Sequence, residues 1–233
     1  MSMVENICHP IFYAALMCPD HSAIEDGERS LSYYELAKVC DSVSRCLADL
    51  NVQERQVVAI YGKRSATLLS AIYGACWHGC IYLPIDPSDP IERTQKKLQA
   101  NYVSCVLVDQ RCAKLDVFLQ REGICCIDVS SIVEKEMQSS YRDILAPRSM
   151  KEDDIAYRLY TSGTTGFPKC VSVSYRNVMA FIDSMKSEAP LKRSDRMSQF
   201  AEYTFDASIF DIVASIHAGA TICIVPENQK LLP

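Results

Sequence analysis

The sequence has no run of lysine or arginine long enough to make a basic stripe, and its formal net charge is −5 with a pI near 5.4. Electrostatics therefore argue against a nucleic-acid partner or an anionic membrane surface. No segment approaches the ~20 apolar residues of a membrane span. The apolar run 11–18 is short, is closed by Pro19 and follows Glu5 in place of a basic start, so it is not a secretory leader. No C-x-x-C pair exists to complete a zinc site with Cys76, His78 and Cys80 of CWHGC. No protein-held metal is expected at that cluster, where a helix end with buried thiols is the default. The twelve cysteines lie mostly in apolar runs, such as Cys105, Cys125, Cys126 and Cys223, where they read as small buried hydrophobes of a reducing, cytoplasmic protein. Repeats, low-complexity tracts and long flexible linkers are also absent. Glycine is scarce, with eight in 233 residues.

What is present fits one sizeable α/β domain. Hydrophobic residues make up 48% and charged residues 23%, the balance of an ordinary globular chain. Short apolar runs alternate with amphipathic stretches, which predicts mixed, largely parallel sheets flanked by helices. Ser32 and Glu35 form an S-x-x-E capping box, with Leu31 and Leu36 at staple positions. Leu36, Val39, Val43, Leu47 and Leu50 mark the buried face of the helix that follows. Strands are expected at 56–61, 80–86, 103–108, 124–129, 154–160, 169–174 and 220–225. Pro84 is expected to break the second of these or put it at an edge. Helices are expected at 66–77, 90–100, 175–186 and from 205 to about 217. A further helical segment lies between 108 and 124, and 130–152 reads as a polar surface connection.

The strongest chemistry lies in LYTSGTTGFPK, residues 159–169. Four hydroxyls (Thr161, Ser162, Thr164, Thr165) and two glycines (Gly163, Gly166) fill six positions after a strand. Glycine lets backbone N–H groups converge on an anion, hydroxyls add donors, and Lys169 adds a positive charge, a set suited to a polyphosphate. The pattern is not a Walker A loop. A hairpin turn rich in small polar residues is an equal reading of the composition, and at this point both stand.

YTSGTTGFPK is very similar to the signature of the adenylate-forming (AMP-binding) superfamily. LSYYELAKVCDSVSRCL (31–47), GCIYLPIDPSDPIERTQKKLQ (79–99) and FAEYTFDASIFDI (200–212) resemble further motifs of that superfamily in the expected order. The Pro-Ile-Asp-Pro and Phe-Asp-x-Ser versions resemble the amino-acid-activating branch, the adenylation domains of nonribosomal peptide synthetases. The resemblance implies that ATP, with Mg²⁺, activates an amino acid to an aminoacyl-adenylate. The acyl group then passes to the phosphopantetheine thiol of a carrier domain.

By the same resemblance, Thr161, Ser162, Gly163, Thr164, Thr165, Gly166 and Lys169 would hold the β- and γ-phosphates, with Thr165 and Lys169 acting in the chemical step. Asp206 would pair with the substrate's α-ammonium, and Ala207 and Phe210 would line its side-chain pocket, a hint of an apolar or aromatic substrate. As alternatives, Asp206 is placed to be a helix N-cap, and Ala207 and Phe210 to face a helix core.

Three residues depart from the family pattern. Cys170 stands where glycine is usual and would be strained if φ is positive there. Arg158 is a charge in a strand, and Tyr175 replaces a common histidine. The later motifs for adenine, ribose and the catalytic lysine of the small C-terminal domain do not occur, so 1–233 reads as the N-terminal portion of a large domain, incomplete and inactive by itself. Alternatives are an acyl- or aryl-CoA ligase, or a degenerate, noncatalytic binding protein.

Overall fold

In a computed structural model the described residues are 3–27, 29–110, 112–161 and 168–227. Among them the elements run β1 Met3–Val4, α1 His9–Met17, β2 Ser22–Glu25, β3 Ser30–Ser32, α2 Tyr33–Asp49, β4 Val57–Tyr61, α3 Ala66–Trp77 and β5 Ile81–Ile85. They continue with α4 Ile91–Ala100, β6 Cys105–Val108, α5 Ala113–Glu122, β7 Cys125–Asp128, α6 Val129–Gln138, β8 Met150–Lys151, β9 Ile155–Thr161 and β10 Lys169–Ser174. The last are α7 Tyr175–Glu188, β11 Arg196–Gln199, α8 Ala207–Ile209, a π-helical turn Phe210–Ala214, α9 Ser215–Ala218 and β12 Thr221–Ile224.

A six-stranded sheet has the order β10-β9-β5-β4-β6-β7, parallel except for the β9–β10 hairpin. A second sheet has the order β11-β12-β2-β3, with only β2–β3 antiparallel. The fold class is thus the expected mixed, largely parallel α/β.

Strand alternation builds two cores. Val58 and Ile60 point to the side where α2, α3 and α6 pack and where Ile24, Leu31 and Ile222 of the smaller sheet join the same cluster. Val57, Ala59 and Tyr61 point to the other side, toward Leu98 of α4 and Leu115, Phe118 and Leu119 of α5. Burial on both faces explains why these strands read as unbroken apolar runs.

The capping box forms: Glu35 N donates to Ser32 Oγ at 3.2 Å, and Ser32 N donates to Glu35 Oε2 at 2.8 Å. Leu36, Val39, Val43 and Leu47 are fully buried, but Leu50 is exposed because the helix ends at Asp49. Every residue of α3 is buried. Gly74 lets α2 lie against it, since a Cβ there would sit 2.6 Å from Val43 Cβ.

Several expectations need correction. Pro84 neither breaks β5 nor puts it at an edge: the strand lies between β4 and β9. Its one registered pair with β9, Tyr82–Tyr157, precedes Pro84, so the missing donor falls where that ladder has ended. Residues 130–152 are not all surface connection, because α6 occupies the first part. The Asp128 side chain caps that helix by accepting from Ser130 N at 3.0 Å, and Val129, Val133 and Glu136 are its buried face. Residues 11–17 of the short apolar run lie in α1, with Ile11, Ala14 and Ala15 buried and Cys18 as the C-cap. The helix expected from 205 to about 217 is present from Ala207 to Ala218, with a π-helical turn at Phe210–Ala214 between α8 and α9.

Of the departures from the family pattern, Cys170 has no positive φ; it pairs with Tyr160 as an ordinary residue of β10. Arg158 Nη1 donates to Asn101 Oδ1 at 3.1 Å, while its Nε is buried without a hydrogen-bond partner among the described residues. Tyr175 is fully buried. At CWHGC, His78 ends α3, and its ring nitrogens lie 3.0 Å from Ser44 Oγ and 2.8 Å from the Val52 carbonyl, a structural engagement of both.

Among the described residues, no helix is long and apolar enough to cross a membrane.

Candidate functional site

The β9–β10 hairpin organises the site. Its register pairs Lys169 with Thr161 at the tip and Val173 with Tyr157 four residues further down. Those four residues correspond to about 13 Å along the strands. The Thr161 hydroxyl donates to the Lys169 carbonyl at 3.5 Å, closing the base of the loop. Thr161 and Lys169 are exposed. Ser162, Gly163, Thr164, Thr165 and Gly166 lie outside the described residues.

Alternation along β9 then divides its side chains. Tyr157 and Leu159 face the larger core, whereas Tyr160 packs on the side of α4 and α5 with Arg158 beside it, reaching Asn101 of α4's end. On the Tyr157 side a cavity of about 570 Å³ opens between the hairpin, α7 and the segment 206–210. Asp206, Ala207 and Phe210 all line it, together with Tyr157, Val173 and Phe181. The three substrate residues expected from the sequence are therefore brought together, on the face of the hairpin whose tip carries Thr161 and Lys169.

Local interactions hold Asp206 in place. The Ser208 hydroxyl, itself fully buried, donates to the Phe205 carbonyl at 2.6 Å. Asp211 Oδ2 accepts from Phe200 N at 3.1 Å and Ala201 N at 3.3 Å, tying down the chain that leads into the turn. Asp206 occupies the N-cap position of α8, but in helical geometry (φ −61°, ψ −30°) and with no side-chain cap bond. The capping alternative fails for that reason: an N-cap residue that uses its carboxylate has an extended backbone. Asp206 and Ala207 are exposed, and Phe210 is half-buried with its ring edge-on to Phe181 at 6.4 Å and 81°. The expectation that Ala207 and Phe210 face a helix core is likewise not met.

The π-helical turn begins at Phe210, and its loosened carbonyls find partners. Tyr73 Oη donates to the Ile212 carbonyl at 2.5 Å, and Ser215 Oγ donates to the Asp211 carbonyl at 2.6 Å.

Tyr157 is 6% exposed, and burial followed by the negative charge of Asp206 pushes its phenol up to about 12. At neutral pH it is therefore an O–H donor near a carboxylate. Sequence reasoning missed Tyr157, Val173, Phe181 and Met185 as lining residues. Alternation along the hairpin would have found the first two; α7 meets the cavity only through tertiary packing.

Beside this cavity, a smaller one of about 120 Å³ lies between α7 and α9 and includes His217, whose Nε2 is buried without a partner among the described residues. Burial, with Lys186 adding to it, lowers the imidazole to about 4. The unfolded chain, with an ordinary histidine near 6.5, binds the proton more readily between those values. Stability is thus full above about pH 6.5 and falls as pH drops toward 4. Urea unfolding at about pH 7.5 and about pH 5 is expected to show the wild type losing ~2 kcal/mol more than His217→Gln on acidification. Equal losses would remove His217 from the account.

The AMP-binding enzyme family model matches residues 11–233. L-proline--[L-prolyl-carrier protein] ligase of Pseudomonas fluorescens is 31% identical over 223 residues, 92% of this chain and 44% of that protein. Bacitracin synthase 3 of Bacillus licheniformis is 27% identical over 229 residues, 98% of this chain and 4% of that protein. Among solved structures, the nonribosomal peptide synthetase FmoA3 bound to alpha-methyl-L-serine-AMP superposes with a TM-score of 0.80 at 25% identity, covering 97% of this chain and 24% of that one. The chain spans less than half the length of these relatives.

Proposed function

The chain belongs to the AMP-binding enzyme family, and on that footing we propose that it contributes the substrate- and phosphate-binding portion of an amino-acid-activating enzyme. The single observation that carries this reading is the placement of Asp206 in a cavity on the face of the hairpin that bears Thr161 and Lys169. An α-ammonium seated against Asp206 would direct the substrate carboxylate toward the hairpin tip, where Thr161, Lys169 and the intervening Ser162, Gly163, Thr164, Thr165 and Gly166 would hold the β- and γ-phosphates of ATP. The carboxylate oxygen attacks the α-phosphorus, the bond to the bridging oxygen breaks, and pyrophosphate leaves. Catalysis is then mostly positioning and charge neutralisation. A fatty or aryl acid would leave Asp206 without its cation, which disfavours a CoA ligase.

Among the described residues, no group of three or more His, Cys, Asp or Glu is placed to hold a metal. Mg²⁺ would balance the phosphate charge in this step. The acceptor of the activated acyl group would be a phosphopantetheine thiol on a carrier domain; the name of the proline-activating relative gives a carrier protein as the acceptor for that protein.

Amino-acid-dependent exchange of labelled pyrophosphate into ATP by the full-length protein tests the reading. Exchange with at least one amino acid is expected, and its absence with all twenty common ones would contradict it. Lys169→Ala is expected to raise the ATP concentration for half-maximal exchange about tenfold, the loss of one charge-assisted contact to phosphate. An unchanged value would remove Lys169 from the phosphate site.

A further inference from the structure

The smaller cavity between α7 and α9 has no part in the proposed reaction, and its lining joins an apolar body to two nitrogen donors. Ile182, Leu191 and Ala214 supply apolar wall, with Ile182 and Ala214 buried. The polar side chains of the described lining are His217 and Lys186. His217 Nε2 is buried and meets no hydrogen-bond partner among the described residues. Such a nitrogen costs stability until an acceptor reaches it. The imidazole is neutral at pH 7, held so by burial and then by Lys186, which outweighs the Asp183 and Glu5 carboxylates that also act on it. Side-chain charge therefore makes the potential at the ring positive, and the neutral ring keeps one N–H to donate. Lys186 is exposed and its pair with Asp183, at 3.1 Å, is open to solvent. A pair of that kind holds its lysine weakly, which leaves the ammonium free to turn to the cavity mouth. Water alone fills such a space poorly, because it needs roughly two to four polar partners and most of the lining is carbon. Apolar cavities of about 150 Å³ accept benzene, so this one of about 120 Å³ takes a slightly smaller body of about four carbons.

We propose that this cavity is a second ligand site, separate from the one at Asp206, for small branched aliphatic monocarboxylates. The hydrocarbon lies against Ile182, Leu191 and Ala214, and the carboxylate accepts from His217 Nε2 and Lys186 Nζ. Both contacts are charge-assisted, since the acceptor is an anion. Met185 lines this cavity and the main one, so the occupant rests against the reverse of a wall of the main cavity. The assignment does not depend on the role of Asp206, and it stands or falls without any exchange activity.

The test is an NMR titration of the full-length protein, carrying isotope-labelled histidine, with 3-methylbutanoate near neutral pH. The His217 ring resonance is identified by its loss in His217→Phe, and it is expected to shift saturably with half-saturation at about 1–5 mM, the strength open to so small a ligand. The neutral isostere 3-methylbutanamide and the cation 3-methylbutylammonium are each expected to bind at least about tenfold more weakly, having no anion for the two donors. Lys186→Met removes the ammonium, and Ala189→Leu fills the cavity from its rim. Each is expected to weaken 3-methylbutanoate about tenfold. Both positions are exposed, so neither substitution reaches the core, and either variant suffices if the other misfolds. A His217 resonance that stays unmoved up to about 50 mM 3-methylbutanoate would overturn the proposal. So would an amide or ammonium that binds as tightly as the carboxylate, or a shift that folded Lys186→Met and Ala189→Leu both leave at wild-type affinity.

Discussion

In the full-length protein, Asp206→Asn lowers amino-acid-dependent pyrophosphate exchange about a hundredfold or more and leaves the unfolding temperature within about 2 °C of wild type. The first half follows from charge. Asparagine keeps the shape of the side chain but loses the anion, and an ammonium seated there loses its counter-charge while still paying for desolvation. A hundredfold is about 2.7 kcal/mol, within the range for a hydrogen-bonded charge partner. The second half follows from position. Asp206 is exposed and makes no cap bond, and the turn that presents it is held by Ser208 and Asp211. Activity and stability are therefore expected to separate at this residue. Exchange near the wild-type level, or a loss of activity that tracks a loss of stability, would each refute the assignment.

The largest effect on stability is expected at Trp77. It is 1% exposed, its Nε1 donates to the Leu145 carbonyl at 3.0 Å, and its ring stands edge-on to Phe12 at 6.1 Å and 75°. One side chain thus joins the end of α3 to α1 and to the segment that follows α6. Trp77→Ala removes the ring and orphans the Leu145 carbonyl, and is expected to cost ~4 kcal/mol in urea unfolding. Because Trp77 is the sole tryptophan, the comparison is made by far-ultraviolet circular dichroism. A loss below about 1 kcal/mol would show that the end of α3 is not anchored this way.

Legibility from the sequence followed the range of the interactions. The Ser32–Glu35 box, α3 and the β9–β10 hairpin were readable because their signals lie within a few residues of one another. So was the helix start at Asp206, whose proposed role comes from family likeness and not from periodicity. Helix α6 was hidden because its buried face has few apolar residues and includes Glu136, satisfied by Ser42 and Ser139. Helix α1 was hidden by brevity and by Pro10. Pro84 was misread because its tolerance depends on where the β9 ladder stops, which no local pattern states. The π-helical turn needs the hydroxyl of Tyr73, more than a hundred residues away. Phe181 and Met185 likewise come to line the same cavity as Asp206 only when α7 folds back across the hairpin.

The most direct measurement is a co-crystal structure with an apolar aminoacyl sulfamoyl-adenosine, a stable mimic of the adenylate. The account predicts the ligand's amino nitrogen about 2.7–3.2 Å from an Asp206 carboxylate oxygen, with the side chain between Phe181 and Phe210. An amino group turned to solvent, or a ligand seated away from this cavity, would contradict it.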